Sequence, residues 1–343
     1  MIKEDLRSYM NQKTAEKRIL LSCQLDLTYN CNLDCIHCYV SKENRQEMKK
    51  SDIMDILDQL ADLGTLYLGL SGGEIFTRED FFEIAEYARE LHFALNISTN
   101  GTLINNEIAD KLSRLNPNRI SFSVYSMDPK IHDKITGVPG SLEKTIKAAK
   151  MLKNRNMYLR VTNIIMKQNI NEYFNIYKFA EKLDAEFQVD PHITPKTDGN
   201  MKPLDYQIND NDLCRILVDP LLNENLSEEE VGNHFNSIYN DLPCSAAHNF
   251  CYISPYADVF PCSQFPLFCG NLKEESLNEI WYHSSGMLEA SNLRMSNLPA
   301  CSKCEIVDYC RYCPGLSILE ENDLMEPSSR CCKEAKLLSC LKR

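Results

Sequence analysis

Six strand-like apolar runs alternate with five amphipathic helical stretches over residues 21–193, and few folds accept that rhythm. The runs cover 21–28, 66–71, 94–99, 119–124, 158–166 and 187–193; helical periodicity fills 51–63, 79–91, 105–115, 141–154 and 171–183. Ser51 with Asp52, Asn105 with Glu107, and Ser141 with Glu143 mark helix starts. Strand–helix units in series predict a parallel sheet with helices outside it, doubly wound or an incomplete barrel. Either arrangement puts ligands at the C-terminal ends of the strands.

Outside that stretch the composition changes. Residues 1–20 read as a short polar helical lead-in, 21–195 as the βα body, 196–240 as a polar bridging segment, and 241–343 as a loop-rich, cysteine-dense domain. A region so short of apolar runs builds little core and is expected to need metal to fold. The 343 residues are 43% apolar and 25% charged, with 37 basic against 49 acidic side chains and a formal charge of −12. That balance argues against a nucleic-acid partner. No apolar stretch approaches the ~20 residues that cross a bilayer, so no membrane partner is expected, and the polar N-terminus has no signal core. The sixteen cysteines are therefore expected as reduced thiols or metal ligands in a cytoplasmic protein.

Three of them form Cys31-x3-Cys35-x2-Cys38, directly after the first strand. Soft thiolates at loop spacing hold iron–sulfur clusters or zinc. A four-iron cluster on three thiolates keeps one iron open for another molecule. Zinc usually takes four ligands, and no fourth lies near in sequence.

The spacing Cys31-x3-Cys35-x-His37-Cys38 after a first strand resembles the radical S-adenosylmethionine (SAM) superfamily motif, with His37 where an aromatic commonly precedes the third cysteine. The resemblance implies a partial (β/α)6 TIM-like barrel and a [4Fe-4S] cluster whose open iron is chelated by SAM. One electron then cleaves SAM to a 5′-deoxyadenosyl radical that abstracts a substrate hydrogen. Ser71-Gly72-Gly73-Glu74 at the next strand end looks like the family's GGE motif, where Gly72, Gly73 and Glu74 would hold the SAM amino group. Ser98, Asn100 and Ser123 sit at strand ends where the family contacts the SAM ribose and carboxylate, although Asn100-Gly101 is also a favoured turn dipeptide. Arg160, charged within an apolar strand, is expected on the SAM carboxylate or in a salt bridge. Alternation sets Gln24 and Asp26 opposite Cys23, Leu25 and Leu27, so the first pair either touches substrate or is a solvated strand end; Asp190 and His192 pose the same choice.

Cys301-x2-Cys304-x5-Cys310-x2-Cys313, preceded by Cys262 and followed by Cys331, resembles the SPASM domain of peptide-modifying radical SAM enzymes. Residues 256–262 look like its hairpin, with Ala257 in place of the usual glycine. The resemblance implies two auxiliary [4Fe-4S] clusters, one on Cys244, Cys251, Cys262 and Cys313 and one on Cys301, Cys304, Cys310 and Cys331. Cys331 and Cys332 cannot easily share a cluster, so one of them is spare; a pair of zinc knuckles is the alternative. Ser263 stands where sulfatase-maturing relatives carry a catalytic aspartate, which argues against that activity.

The expected function is post-translational modification of a ribosomal precursor peptide, ending in a thioether or carbon–carbon crosslink. Epimerisation, action on a small-molecule cofactor precursor, and a zinc-organised binding module are the alternatives. Asp26, and Cys214 or Cys269 as hydrogen-atom donors in an epimerase, are the catalytic candidates. A flavodoxin- or ferredoxin-type electron donor is implied. The ~20-residue lead-in is too short for the ~80–90-residue leader-binding domain of many such enzymes, so leader recognition is expected from the body of the enzyme or from a separate leader-recognition protein, unless the substrate is not a leader peptide.

Overall fold

The structure, a computed structural model, describes residues 6–41, 43–222 and 242–341. Six strands follow one another as predicted: β1 (Ser22–Thr28), β2 (Tyr67–Gly72), β3 (Ala94–Thr99), β4 (Arg119–Ser123), β5 (Leu159–Ile164) and β6 (Glu186–Asp190). Each pairs in parallel with the next. Between them run α2 (Lys50–Asp62), α3 (Phe81–Glu90), α4 (Asn106–Leu115), α6 (Ser141–Lys153) and α7 (Tyr173–Lys182), after an N-terminal α1 (Leu6–Glu16). Alternating strand residues such as Leu25, Leu27, Leu68, Leu70, Leu95, Ile97, Ile120 and Phe122 are buried under the helices and form the main core. The opposite face of the same strands is polar, with Gln24, Ser71, Asn96, Ser98, Ser121 and Arg160 lining cavities. A closed eight-stranded barrel packs its interior with branched apolar side chains. This incomplete one stays hollow.

Helix starts follow capping chemistry, in two cases differently from the prediction, one being α6, where Gly140 takes the cap position and Ser141 lies inside the helix. The Asn105 side chain accepts from Ile108 N. At α2 the cap is Lys49, whose backbone N–H is taken by Asp52 at 3.0 Å, so Ser51 lies inside the helix. A helix that periodicity did not reveal, α5 (Pro129–Thr136), follows β4; Asp128 caps it and Pro129 opens it. In the bridging segment, a further helix α8 (Asp210–Leu217) packs Leu213 and Ile216 on Ile165 and Ile208. Residues 223–241 of that segment lie outside the described residues.

The cysteine-rich region does not begin as a separate layer. Its first strand, β7 (Phe250–Ile253), pairs in parallel with β1, with Cys251 opposite Cys23. β8 (Asp258–Phe260) and β9 (Gly270–Asn271) continue antiparallel. One nine-stranded sheet therefore runs β6-β5-β4-β3-β2-β1-β7-β8-β9. Four helices complete the chain: α9 (Leu277–His283), α10 (Ser285–Ser291), α11 (Pro314–Glu321) and α12 (Ser329–Leu341). Among the described residues no helix is long and apolar enough to cross a membrane.

Candidate active site

The loop after β1 is shaped by backbone contacts from two neighbours. On one side Asp34 N donates to Thr136 O (2.9 Å) and Ile36 N to Ile135 O (3.0 Å), which lays the loop on the end of α5. On the other, Gly73 N donates to Thr28 O and Glu74 N to Asn30 O, both at 2.7 Å. The two glycines are needed for that approach. A Cβ at Gly72 would sit 2.2 Å from Thr28 O, and one at Gly73 would sit 2.4 Å from Asn30 O. The glycine pair thus serves the first strand's backbone directly, and the cavity through it.

Cys31, Cys35 and Cys38 face a cavity of about 710 Å³ at the C-terminal strand ends. Its wall also includes Gly72, Gly73, Ser98, Asn100, Ser123 and His37. Burial raises the Cys31 thiol and pushes Cys35 up to about 12, with the neighbouring cluster-loop cysteines adding to the effect. Such thiols keep their protons until a cation replaces them. Asn100 Nδ2 reaches Cys31 Sγ at 3.9 Å. Burial holds His37 neutral, at about 4, with its ring edge-on to Tyr125 at 4.7 Å and its Nδ1 without a partner. Among the described residues no three His, Cys, Asp or Glu side chains converge at the spacing of a single ion. A four-iron cluster spreads its thiolates wider than zinc does, and the donor set at this cavity fits such a cluster.

Glu74 departs from its expected place. It is fully buried, and its carboxylate accepts from Thr99 Oγ1 (2.7 Å), Asn100 N (2.7 Å) and Phe76 N (3.3 Å). Its side chain fastens the β2 turn to the end of β3 instead of entering the cavity. Arg160 is also a correction. It pairs with Glu186 and donates to Gln188 Oε1 at 2.7 Å, in a second cavity of about 740 Å³ at the opposite end of the strands. Its partners come from the next strand, so the salt-bridge alternative describes it.

The C-terminal thiols fall into two groups, again with a correction. The Cys244 thiol, pushed up to about 12 by burial, has Cys313 and Cys262 as neighbours. Cys251 does not join them: it is buried in the core, its Sγ 3.7 Å from Cys23 Sγ. In a strand paired with β1 its side chain points inward with Cys23, and sequence spacing carries no sign of that. Cys310, also pushed up to about 12 by burial, lies among Cys331, Cys301, Cys332 and Cys304. Cys332 neighbours Cys301 and Cys304, whereas Cys331 sits toward Cys313. The two thiol-donor candidates are away from the cavity. Cys214 is on α8, and Cys269 is buried with its Sγ 3.3 Å from Leu267 O. Neither is on the cavity wall that Cys31, Cys35 and Cys38 share.

Several residues of the site were not anticipated. The half-buried Tyr39 side chain is on the cavity wall, close enough to feel Asp26, Tyr29, Cys38 and Cys262 together, and it therefore stands between the two thiol-rich regions. The loop that follows it is strapped to the C-terminal hairpin: Arg45 makes two hydrogen bonds to Asp258 (2.6 and 2.9 Å) and stacks over Tyr256 at 4.8 Å. At the far rim, His192 bridges Asp190 and Glu334 at 2.8 Å each, tying β6 to α12. Those two carboxylates raise His192 to about 9 against the opposing effect of burial.

Comparison with known proteins agrees with this geometry. Residues 25–180 match the radical SAM superfamily, and residues 244–314 match SPASM, an iron–sulfur cluster-binding domain. The AdoMet-dependent heme synthase of Methanosarcina barkeri is 26% identical over 335 residues, 89% of this chain and 94% of that protein. The mycofactocin maturase MftC of Mycolicibacterium smegmatis is 26% identical over 306 residues, 83% of this chain and 76% of that protein. In structure, Streptococcus suis SuiB bound to its precursor peptide SuiA superposes with a TM-score of 0.71 at 19% identity, covering 95% of this chain and 80% of that one. The chain thus carries a radical SAM domain followed by a SPASM domain, which together imply [4Fe-4S] clusters and SAM as cofactors.

Proposed function

We propose that this radical SAM enzyme modifies a ribosomal precursor peptide oxidatively, leaving a thioether or carbon–carbon crosslink. The observation that carries the reading is the shared cavity. Cys31, Cys35 and Cys38 form one part of its wall, Gln264, two residues past Cys262, forms another, and Tyr39 stands between. In this reading residues 21–195 form the radical SAM barrel, 241–343 the auxiliary-cluster domain, and 196–240 bridge them. Cys31, Cys35 and Cys38 hold the SAM cluster. Cys244, Cys262 and Cys313 hold the first auxiliary cluster, and Cys301, Cys304 and Cys310 hold the second with Cys331 or Cys332. When bound, these groups supply a hydrogen-abstracting radical and a one-electron acceptor. The chain's own part is to orient and exclude water: the Gly72-Gly73 turn offers backbone to SAM, Ser98, Asn100 and Ser123 offer polar side chains, and the Arg45–Asp258 strap fixes one thiol region against the other.

Peptide-maturing relatives such as MftC support this reading. The heme synthases support a second, oxidation of a tetrapyrrole precursor, because one of them matches over nearly its whole length. Anaerobically reconstituted enzyme, with SAM and a low-potential reductant, separates the two. The expected result is 5′-deoxyadenosine formation together with a mass loss of ~2 Da in a co-expressed short cysteine-containing peptide, two hydrogens for each new bond. An unchanged peptide, with turnover of a tetrapyrrole carboxylate instead, would move the assignment to the second reading.

A further inference from the structure

Asp26 on β1 is completely buried and is not part of the cavity wall. Its carboxylate accepts from Tyr252 Oη at 2.9 Å and from Gln24 Nε2 at 3.0 Å. Tyr252 Oη in turn lies 2.6 Å from Tyr29 Oη. A phenol has one proton to give. Tyr252 gives its proton to Asp26, so in the contact between the two tyrosines Tyr29 is the donor. Tyr29 belongs to the wall of the cavity that Cys31 and Cys38 line. Three groups therefore stand in single file, with hydrogen bonds running in one direction from the cavity to a carboxylate.

Two other carboxylates near the cavity offer no such route. Glu74 is filled by Thr99 and by backbone N–H groups, and Asp190 is held by His192. The titratable groups that Asp26 faces are Cys23 on its own strand, Tyr252 on β7, and Tyr29 and Tyr39 from the loop after β1. Burial drives Tyr252 well above the usual phenol range, so it passes a proton on without holding a negative charge. Burial also lifts Asp26 to about 6 against the pull of its two hydrogen bonds, which leaves a carboxylate able to take a proton at neutral pH.

We propose that Tyr29, Tyr252 and Asp26 form a proton relay that carries away the proton released when the oxidised product forms in the cavity. The inference rests on the oxidative reading above. In that reaction a substrate C–H bond gives its hydrogen atom to the deoxyadenosyl radical, and the substrate carbon bonds to a nucleophile X that arrives as X–H. One electron leaves to an auxiliary iron–sulfur cluster. The X–H proton goes to Tyr29 Oη, the Tyr29 proton to Tyr252 Oη, and the Tyr252 proton to Asp26 Oδ2. Two hydrogens are lost in total, one as an atom and one as a proton with a separate electron. After product release the relay runs backward and Asp26 returns its proton through the cavity.

Two measurements on the reconstituted holoenzyme test this. Infrared titration without substrate is expected to show a buried carboxylic C=O band that appears on acidification through about pH 6. It should be absent in Asp26→Asn and shifted in Tyr252→Phe. With the peptide, the ratio of oxidised product to 5′-deoxyadenosine should fall about 100-fold in Tyr252→Phe and in Asp26→Asn, the lower end of the usual range for a removed proton acceptor. The double variant should lose no more than either single one, because a relay cut once is already cut. Unchanged ratios, losses that multiply in the double variant, or no titrating band would overturn the relay. Wild-type enzyme that makes 5′-deoxyadenosine and a product of unchanged mass would overturn the oxidative reading instead, and the infrared result would still judge the relay on its own.

Discussion

The loop carrying Cys31, Cys35 and Cys38 and the segment carrying the last five proposed ligands obtain their shape from different sources. The first is clamped by main-chain hydrogen bonds from α5 and from the β2 turn, and it sits on strands whose apolar faces are wholly covered. The second, from Cys301 to Leu341, is made of single 3-10 turns and two helices, and few of its side chains are buried: Cys301, Tyr312, Leu316, Leu324, Cys331, Ala335 and Leu338 are its apolar contribution. A cofactor loop can be built by its scaffold, or a scaffold can be built by its cofactor. The contrast in burial leads to the expectation that this chain does both.

The largest expected effect follows from that contrast. Stripping the iron with a chelator under anaerobic conditions should leave amide exchange in β1–β6 and the cluster loop nearly unchanged. Exchange in residues 301–341 should speed by on the order of 100-fold, the stabilisation that a ligand at a hundred times its dissociation constant provides. Equal protection in both regions would show that the C-terminal segment stands without metal. Next in size is Gly73→Ala. Its Cβ would meet Asn30 O at 2.4 Å and the neighbouring backbone carbons at 2.8–2.9 Å, with no flexible side chain to give way. A loss of about 2–3 kcal/mol is expected by denaturant unfolding, as for overpacked sites generally, together with poor iron loading of the first cluster. A tolerated alanine would mean that the turn and the strand are not so close.

The third prediction separates two cysteines that sequence spacing treats alike. Cys262→Ala should remove iron from the first auxiliary site. Cys251→Ala should leave the iron content intact and cost about 1–2 kcal/mol, the price of a small cavity beside Cys23. Iron analysis and melting on the same two variants read both arms. If Cys251→Ala loses iron, Cys251 turns toward the cluster.

What could be read beforehand divides on the same line. Strand 94–99 was legible to the residue because its alternating apolar side chains answer to one sheet face, and Asn105 announced its helix through its own side chain. Helix α5 escaped because its eight residues, opened by proline and closed by Gly137, are too few for periodicity to emerge. Yet α5 holds the cluster loop. The cysteines of the first loop were legible because their spacing is local. Cys251, Arg160 and the Asp26 relay were not, since each is defined by a partner on another strand: Cys23, Glu186 and Tyr252. The C-terminal ligands lie between these cases, with Cys301, Cys304 and Cys310 spaced locally and the choice between Cys331 and Cys332 left to the pitch of α12.

The smallest prediction concerns the junction of the two regions, the hairpin of β7 and β8. Ala257 stands where a glycine was expected, and the structure gives it φ +71°. Its N–H donates to Ser254 O and its carbonyl accepts from Leu272 N, so the turn cannot relax without losing both bonds. An L-residue in this left-handed conformation costs about 1–2 kcal/mol. Glycine would remove that cost, but it would also widen the unfolded ensemble by about 0.4–1 kcal/mol and lose a methyl that is fully buried. The strain is the larger quantity by a small margin. Ala257→Gly should therefore stabilise the protein by about 0.5 kcal/mol, seen as a rise of one or two degrees in Tm for a chain of this size. A fall in Tm would mean that the buried methyl outweighs the strained backbone, and that the hairpin joining the cluster domain to the barrel is held by packing more than by its turn.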